Sequence, residues 1–187
     1  WPASTAISSS AGNLYGLFPV GTALSYRPVS INSTVSPVIG GYITAIHNHA
    51  TTVTDVSYHD GGHTIQRISD QNSVLSTSDI SGGTYSINVV FNNFNSIGTT
   101  GDLKLETNTG GVPGVVGTHA SSSGTARNPT VRRTGLSASQ LSNTFVAGTK
   151  NKLATPIIEY VYSRTASGSW NDPNNWSSEA GGNGASC

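Results

Sequence analysis

Apart from tyrosine and a single cysteine, the chain's ionisable side chains are five histidines, nine carboxylates and nine Lys or Arg. The one dense group of metal-ligand types is His47-Asn48-His49 followed by His59-Asp60-Gly61-Gly62-His63. On an extended chain, residues two apart share a face at a spacing of about 6.6 Å, which lets His47 and His49 share a transition metal with His59 or His63 across a hairpin. The spacing matches no specific metal motif. A polar hairpin with exposed His side chains and Asp60-Gly61-Gly62 as its turn explains the same residues, so His47, His49, His59 and His63 remain candidate ligands with no metal assigned. Calcium would need oxygen ligands in loops, and Asp70-Gln71-Asn72 with Asp79 are the available set. Nothing there spells an EF-hand, and Asx-turns account for them equally well.

Hydrolytic chemistry finds less. Glycoside cleavage needs two carboxylates flanking a bond, and the one neighbouring pair on a plausible strand is Asp102 and Glu106. Four residues apart on one face of a strand they stand ~13 Å from each other, too far for either mechanism. No Gly-x-Ser-x-Gly elbow lies between a strand and a helix. The chain therefore reads as a non-enzyme. Tyr15, Tyr26, Tyr42, Tyr58, Trp170 and Trp176 offer stacking surfaces for sugar rings, which makes a carbohydrate-binding module of a secreted multidomain protein the alternative function.

The elements that must position these residues are strands. Gly, Pro and Asn interrupt the chain every 8 to 12 residues or so, and the segments between are β-branched or aromatic. The clearest strand spans Gly83 to Phe94, where Tyr85, Ile87, Val89 and Phe91 alternate with Ser86, Asn88, Val90 and Asn92. Asp102 to Thr107 alternates similarly through Leu103 and Leu105. Further strands are expected at Leu14 to Val20, Leu24 to Asn32, Val38 to Ile46, Thr51 to Tyr58, His63 to Ser69, Thr130 to Arg133 and Pro156 to Tyr162. Only Ser137 to Ser142 has the makings of a helical turn. This pattern predicts an all-β fold with almost no helix, an antiparallel β-sandwich of immunoglobulin-like or jelly-roll type with Greek-key connections. A β-helix would show a short fixed repeat, and none is present.

Composition narrows the partners. The chain is 35% hydrophobic and 10% charged, with 22 Gly and a formal net charge of zero. Without net positive charge, and with Arg132-Arg133 as the sole basic doublet, it has no long-range attraction to nucleic acid. No stretch approaches the ~20 apolar residues of a membrane-spanning helix.

Three segments resemble a module recurring in very large exported proteins of bacteria that use type IX secretion, gliding-associated adhesins among them. They are Phe18-Pro19-Val20-Gly21-Thr22 with Tyr26-Arg27-Pro28-Val29, then Gly82-Gly83-Thr84-Tyr85-Ser86 with Leu103-Lys104-Leu105, then Gly117-Thr118-His119 through Pro129-Thr130-Val131-Arg132-Arg133-Thr134-Gly135-Leu136. The resemblance covers roughly residues 14 to 148, and the His-rich segment after Ile46 falls outside its pattern. It implies a structural or adhesive repeat module of a secreted, cell-surface or filament-forming protein, without catalytic residues. The tail from Gly168 through Trp170 and Trp176 to Ser177 resembles the GxWxDxxxW opening of a different module of such exoproteins. Independently of the resemblance, Arg27 between Tyr26 and Pro28 has the form of a rigid clamp that Lys would not replace.

These readings divide the chain into an N-terminal segment 1–13, a sandwich 14–150, and 151–187 as a linker strand with the truncated start of a following module. Trp1 and the absence of Met suggest a piece of a longer product, and Cys187 offers no disulfide within it. Residues 1–13 and the tail after Trp170 hold few core formers, so each is expected to be held by its own sandwich or by a neighbouring copy through strand addition.

Overall fold

The computed structural model describes residues 4–8, 15–22, 25–38, 40–94, 96–159, 162–163 and 176–177, of which 4–8, 15, 162–163 and 176–177 are described as backbone. The strands are β1 (Ser4–Ser8), β2 (Tyr15–Phe18), β3 (Val29–Val35), β4 (Tyr42–Asn48), β5 (Val53–Asp60), β6 (His63–Ser78), β7 (Thr84–Val90), β8 (Leu103–Thr109), β9 (Val112–Gly114), β10 (Thr118–Gly124), β11 (Pro129–Leu136), β12 (Thr144–Thr149), β13 (Tyr162–Ser163) and β14 (Trp176–Ser177). One sheet runs β1-β4-β6-β12-β8-β9, with β5 also on β6; the other runs β10-β11-β7-β3-β2. All the ladders are antiparallel. The fold is an all-β antiparallel sandwich.

Alternation decides which face of each strand enters the core. Tyr85, Ile87 and Val89 of β7 are buried beside Val29 and Ile31 of β3 and Val131 of β11, while the Ser and Asn between them face outward. Ile43 and Ala45 of β4, Leu75 of β6, Leu103 and Leu105 of β8, and Phe145 and Ala147 of β12 meet them from the opposite sheet in one cluster. Strands β3 and β7 are neighbours although β4, β5 and β6 lie between them in sequence in the other sheet. The sandwich is thus interlocked by crossovers. The helical turn expected near Ser137 is α1 (Ala138–Leu141), capped by a reciprocal Ser137–Gln140 pair.

Strand β6 is far longer than the expected His63 to Ser69. It pairs β5 along its first half, β4 along its second, and β12 across its middle. Asp70-Gln71-Asn72, expected in a loop, lie inside this strand, where Gln71 is 0% exposed. The β5–β6 hairpin turns on Gly61 (φ 55°) and Gly62 (φ 82°), a two-residue turn with both centres left-handed, as the Asp-Gly-Gly sequence favours. This hairpin covers the outer face of the sheet, where Ile65, Ile68 and Val146 form a second small core with Val56 and Tyr58. Gly148 makes that close approach possible: a Cβ there would stand 2.7 Å from Glu106 Cγ and 3.2 Å from Ile65 Cγ2.

Beyond residue 150, Ile157 packs in the main core cluster. Thr155, Ile157 and Glu159 are buried, and Glu159 bridges to Phe94. Among the described residues of the expected Pro156 to Tyr162 strand, Tyr162 lies in a ladder, β13 with β14, and Glu159 in a single bridge. At the N-terminal end, β1 pairs β4 of its own chain. Trp1, Trp170 and Cys187 lie outside the described residues, as do the Tyr15 and Trp176 side chains.

Candidate functional site

Arg27 lies between the bridge residue Tyr26 and Pro28, just before β3, and its side chain runs inward. There it is 1% exposed and collects polar groups from three other parts of the chain. Its Nε donates to Asn92 Oδ1 at 2.6 Å, its Nη1 lies 3.0 Å from His47 Nε2 and 2.9 Å from His49 Nδ1, and its Nη2 lies 2.8 Å from Glu159 Oε1. Burial, then the Arg27 charge and then His49 hold His47 down at about 3, so its ring is neutral and accepts. The clamp expected at Arg27 exists. Side chains of Asn92, His47, His49 and Glu159 are among its partners.

A second guanidinium, Arg133 of β11, is 0% exposed and reaches past β8 to the underside of the β5–β6 hairpin. Its Nη1 and Nη2 donate to Asp60 at 3.1 and 2.9 Å, and it also donates to the carbonyls of Leu105 and Val116. Glu106 lies 3.7 Å from Nη1, itself 0% exposed. Burial pushes Glu106 up to about 8, with Arg133 opposing and Asp60 reinforcing, so it is protonated at neutral pH. Burial also raises Asp60, yet its bonds to Arg133 and that residue's charge outweigh this and leave it below the usual carboxylate range. Tyr58 is raised, first by burial and then by Glu106. Burial, with the Lys104 charge adding, lowers His119 to about 4. Asp60 and Glu106 are the two carboxyls this fold brings together, but both are buried, and Arg133 binds one of them at both oxygens.

The Asn92 side of the Arg27 cluster opens outward into a cavity of about 500 Å³. Tyr26, Pro28 and Val90 supply apolar wall, and Asn93, Asn128 and Thr130 supply amide and hydroxyl groups. Asn92 at its floor is fixed at both ends of its amide, since Nδ2 donates to the Tyr26 carbonyl at 2.7 Å. Asn93 sits in the left-handed region (φ 67°), which Asn tolerates, and its Nδ2 donates to Ser25 Oγ at 2.9 Å.

The four candidate histidines divide into two places. His47 pairs with Ser73, whereas His59 pairs with Thr64, nine residues away along β6, on the order of 30 Å in extended chain. His47 and His49 serve Arg27, while His59 and His63 flank the exposed hairpin turn. Among the described residues no three His, Cys, Asp or Glu side chains are placed to hold a metal. Of the expected calcium ligands, Asp70 accepts from Thr54 within the sheet, and Asp79, left-handed at φ 64°, accepts from Ser78. Asp102 accepts from Thr155, remote in role from Glu106. Of the candidate stacking rings, Tyr42 is exposed on β4, Tyr58 packs in the second core, and Tyr26 lines the cavity. Asn92, Asn93 and Asn128 had no signal as site residues, because amides in an Asn-rich chain read as turn formers, and Glu159 had none as a lone carboxylate in an expected strand.

The chain matches no family model, no curated protein and no solved structure. Among the described residues no helix is long and apolar enough to cross a membrane.

Proposed function

We propose that the chain is a non-catalytic structural and adhesive module of a large secreted bacterial surface protein or extracellular filament, working outside the cell. The observation that carries this reading is Arg27. The Tyr26-Arg27-Pro28-Val29 motif, part of the resemblance to type IX-secreted modules, supplies a buried hub that fastens β4, the turn after β7 and the C-terminal segment at Glu159. Such a hub suits a module that carries load, because load passing from the C-terminal segment into β12 must break a buried ion pair on the way. Neighbouring modules or further copies are its partners. Among the described residues β5, β2 and β10 each pair on one side only, so they offer edges for strand addition.

Single-molecule pulling on the full chain by its two ends tests the load-bearing role. The reading expects Glu159→Ala to lower the unfolding force clearly. Equal forces for the two proteins would overturn it.

A further inference from the structure

We infer that the cavity between Tyr26, Asn93, Asn128 and Thr130 is a binding site for a neutral saccharide. At about 500 Å³ it falls inside the ~300–1,000 Å³ range of small-ligand pockets. Its chemistry excludes strongly charged ligands more than it invites them. No Asp, Glu, Lys, Arg or His side chain lines it, and the Arg27 charge behind Asn92 is matched by Glu159.

A pyranose presents hydroxyls that both donate and accept, together with C–H faces that pack on rings. The cavity offers the complement of each. Asn93 Oδ1, the Asn128 carboxamide and the Thr130 hydroxyl have no hydrogen-bond partner among the described residues, and between them they supply acceptors and donors. The Tyr26 and Pro28 rings with Val90 give the apolar wall against which a sugar face packs. The Asn93 amide and the backbone that carries Asn128 are held before any ligand arrives, which lowers the ordering cost of binding. Asn92 is locked by Arg27 Nε and the Tyr26 carbonyl, Asn93 by Ser25 Oγ and the Arg127 carbonyl, and the 125–128 turn by reciprocal Thr125–Asn128 bonds at 3.3 and 3.1 Å. This site stands independently of the surface-module reading, since any secreted or intracellular protein could carry it.

The test is an amide-resolved NMR titration of the full chain with cellohexaose, xylohexaose and mannohexaose at millimolar concentration. The expected result is saturable shifts, for at least one of the three, at the Asn93 and Asn128 side-chain amides and the Thr130 backbone amide. Asn128→Ala and Thr130→Val should each weaken that binding about tenfold, the loss of roughly one hydrogen bond, with an unchanged unfolding midpoint. No saturable shift with any of the three sugars, shifts confined to another surface, or undiminished affinity in both variants would each overturn the assignment.

Discussion

Arg27 Nη2 stands 2.8 Å from Glu159 Oε1, and both side chains are 1% exposed. This contact joins the opening motif of the sandwich to a segment 132 positions later, beyond the last strand of the main sheets. A buried pair of this kind contributes little against an apolar replacement, but losing one member strands the other charge. Glu159→Ala should therefore cost about 3–5 kcal/mol in urea denaturation. A loss well under that range would mean that Arg27 is not dependent on Glu159.

His47 sets the acid side of stability. Its folded value, about 3, lies below the ordinary 6.5, so the stability it contributes is complete above pH 6.5 and is lost as pH falls from there toward 3. The slope approaches about 1.4 kcal/mol per pH unit inside that window. His47→Gln keeps an acceptor for Arg27 without a titrating ring. Its unfolding free energy should be flatter between those limits, and slopes equal to those of the parent protein would refute the assignment.

Glu106 acts in the opposite direction. Its folded value is raised to about 8 from 4.5, so the folded chain holds a proton that the unfolded chain has released, and stability falls as pH rises through that window. Glu106→Gln imitates the neutral acid and should remove the decline, gaining stability at pH 7 on the order of 1 kcal/mol or more. Denaturation midpoints measured from pH 4.5 to 8 would show this directly. A variant that loses stability at pH 7 would show that Glu106 is ionised in the fold.

Gln71 is the simplest packing test. It is 0% exposed in β6, and neither atom of its amide has a partner among the described residues. Replacing it with Met keeps the length and removes the desolvated amide, which should raise stability by about 1–3 kcal/mol. A fall in the thermal midpoint would instead reveal a bond that the amide makes.

Strands β3, β7 and β11 were legible because Val29, Ile31, Tyr85, Ile87, Val89 and Val131 alternate cleanly with polar residues and bury one face, whereas β10 was missed because Thr118–Gly124 holds no large apolar residue. Strand β6 was half hidden, since Asp70-Gln71-Asn72 resembles a turn, and pairing with β4 and β12 on its two sides overrides that preference. Strand β12 was missed because Phe145, Val146 and Ala147 form a short run without alternation, as suits a central strand covered on both faces. The same cover defeated the reading of Glu106. Alternation puts it opposite Leu105, toward apparent solvent, and only the folded-over hairpin buries it against Arg133. Arg27 was recognisable as a clamp from Tyr26 and Pro28, whereas its partners His47, Asn92 and Glu159 are 20, 65 and 132 positions away, a relation only the topology creates.

The central claim, that this sandwich is a surface-borne structural module, is tested most directly by immunolabelling intact cells of the source bacterium with antibody raised against the folded chain. The account predicts labelling at the outer surface without permeabilisation, lost when added protease shaves intact cells. Labelling that appears only after the cells are permeabilised would contradict it.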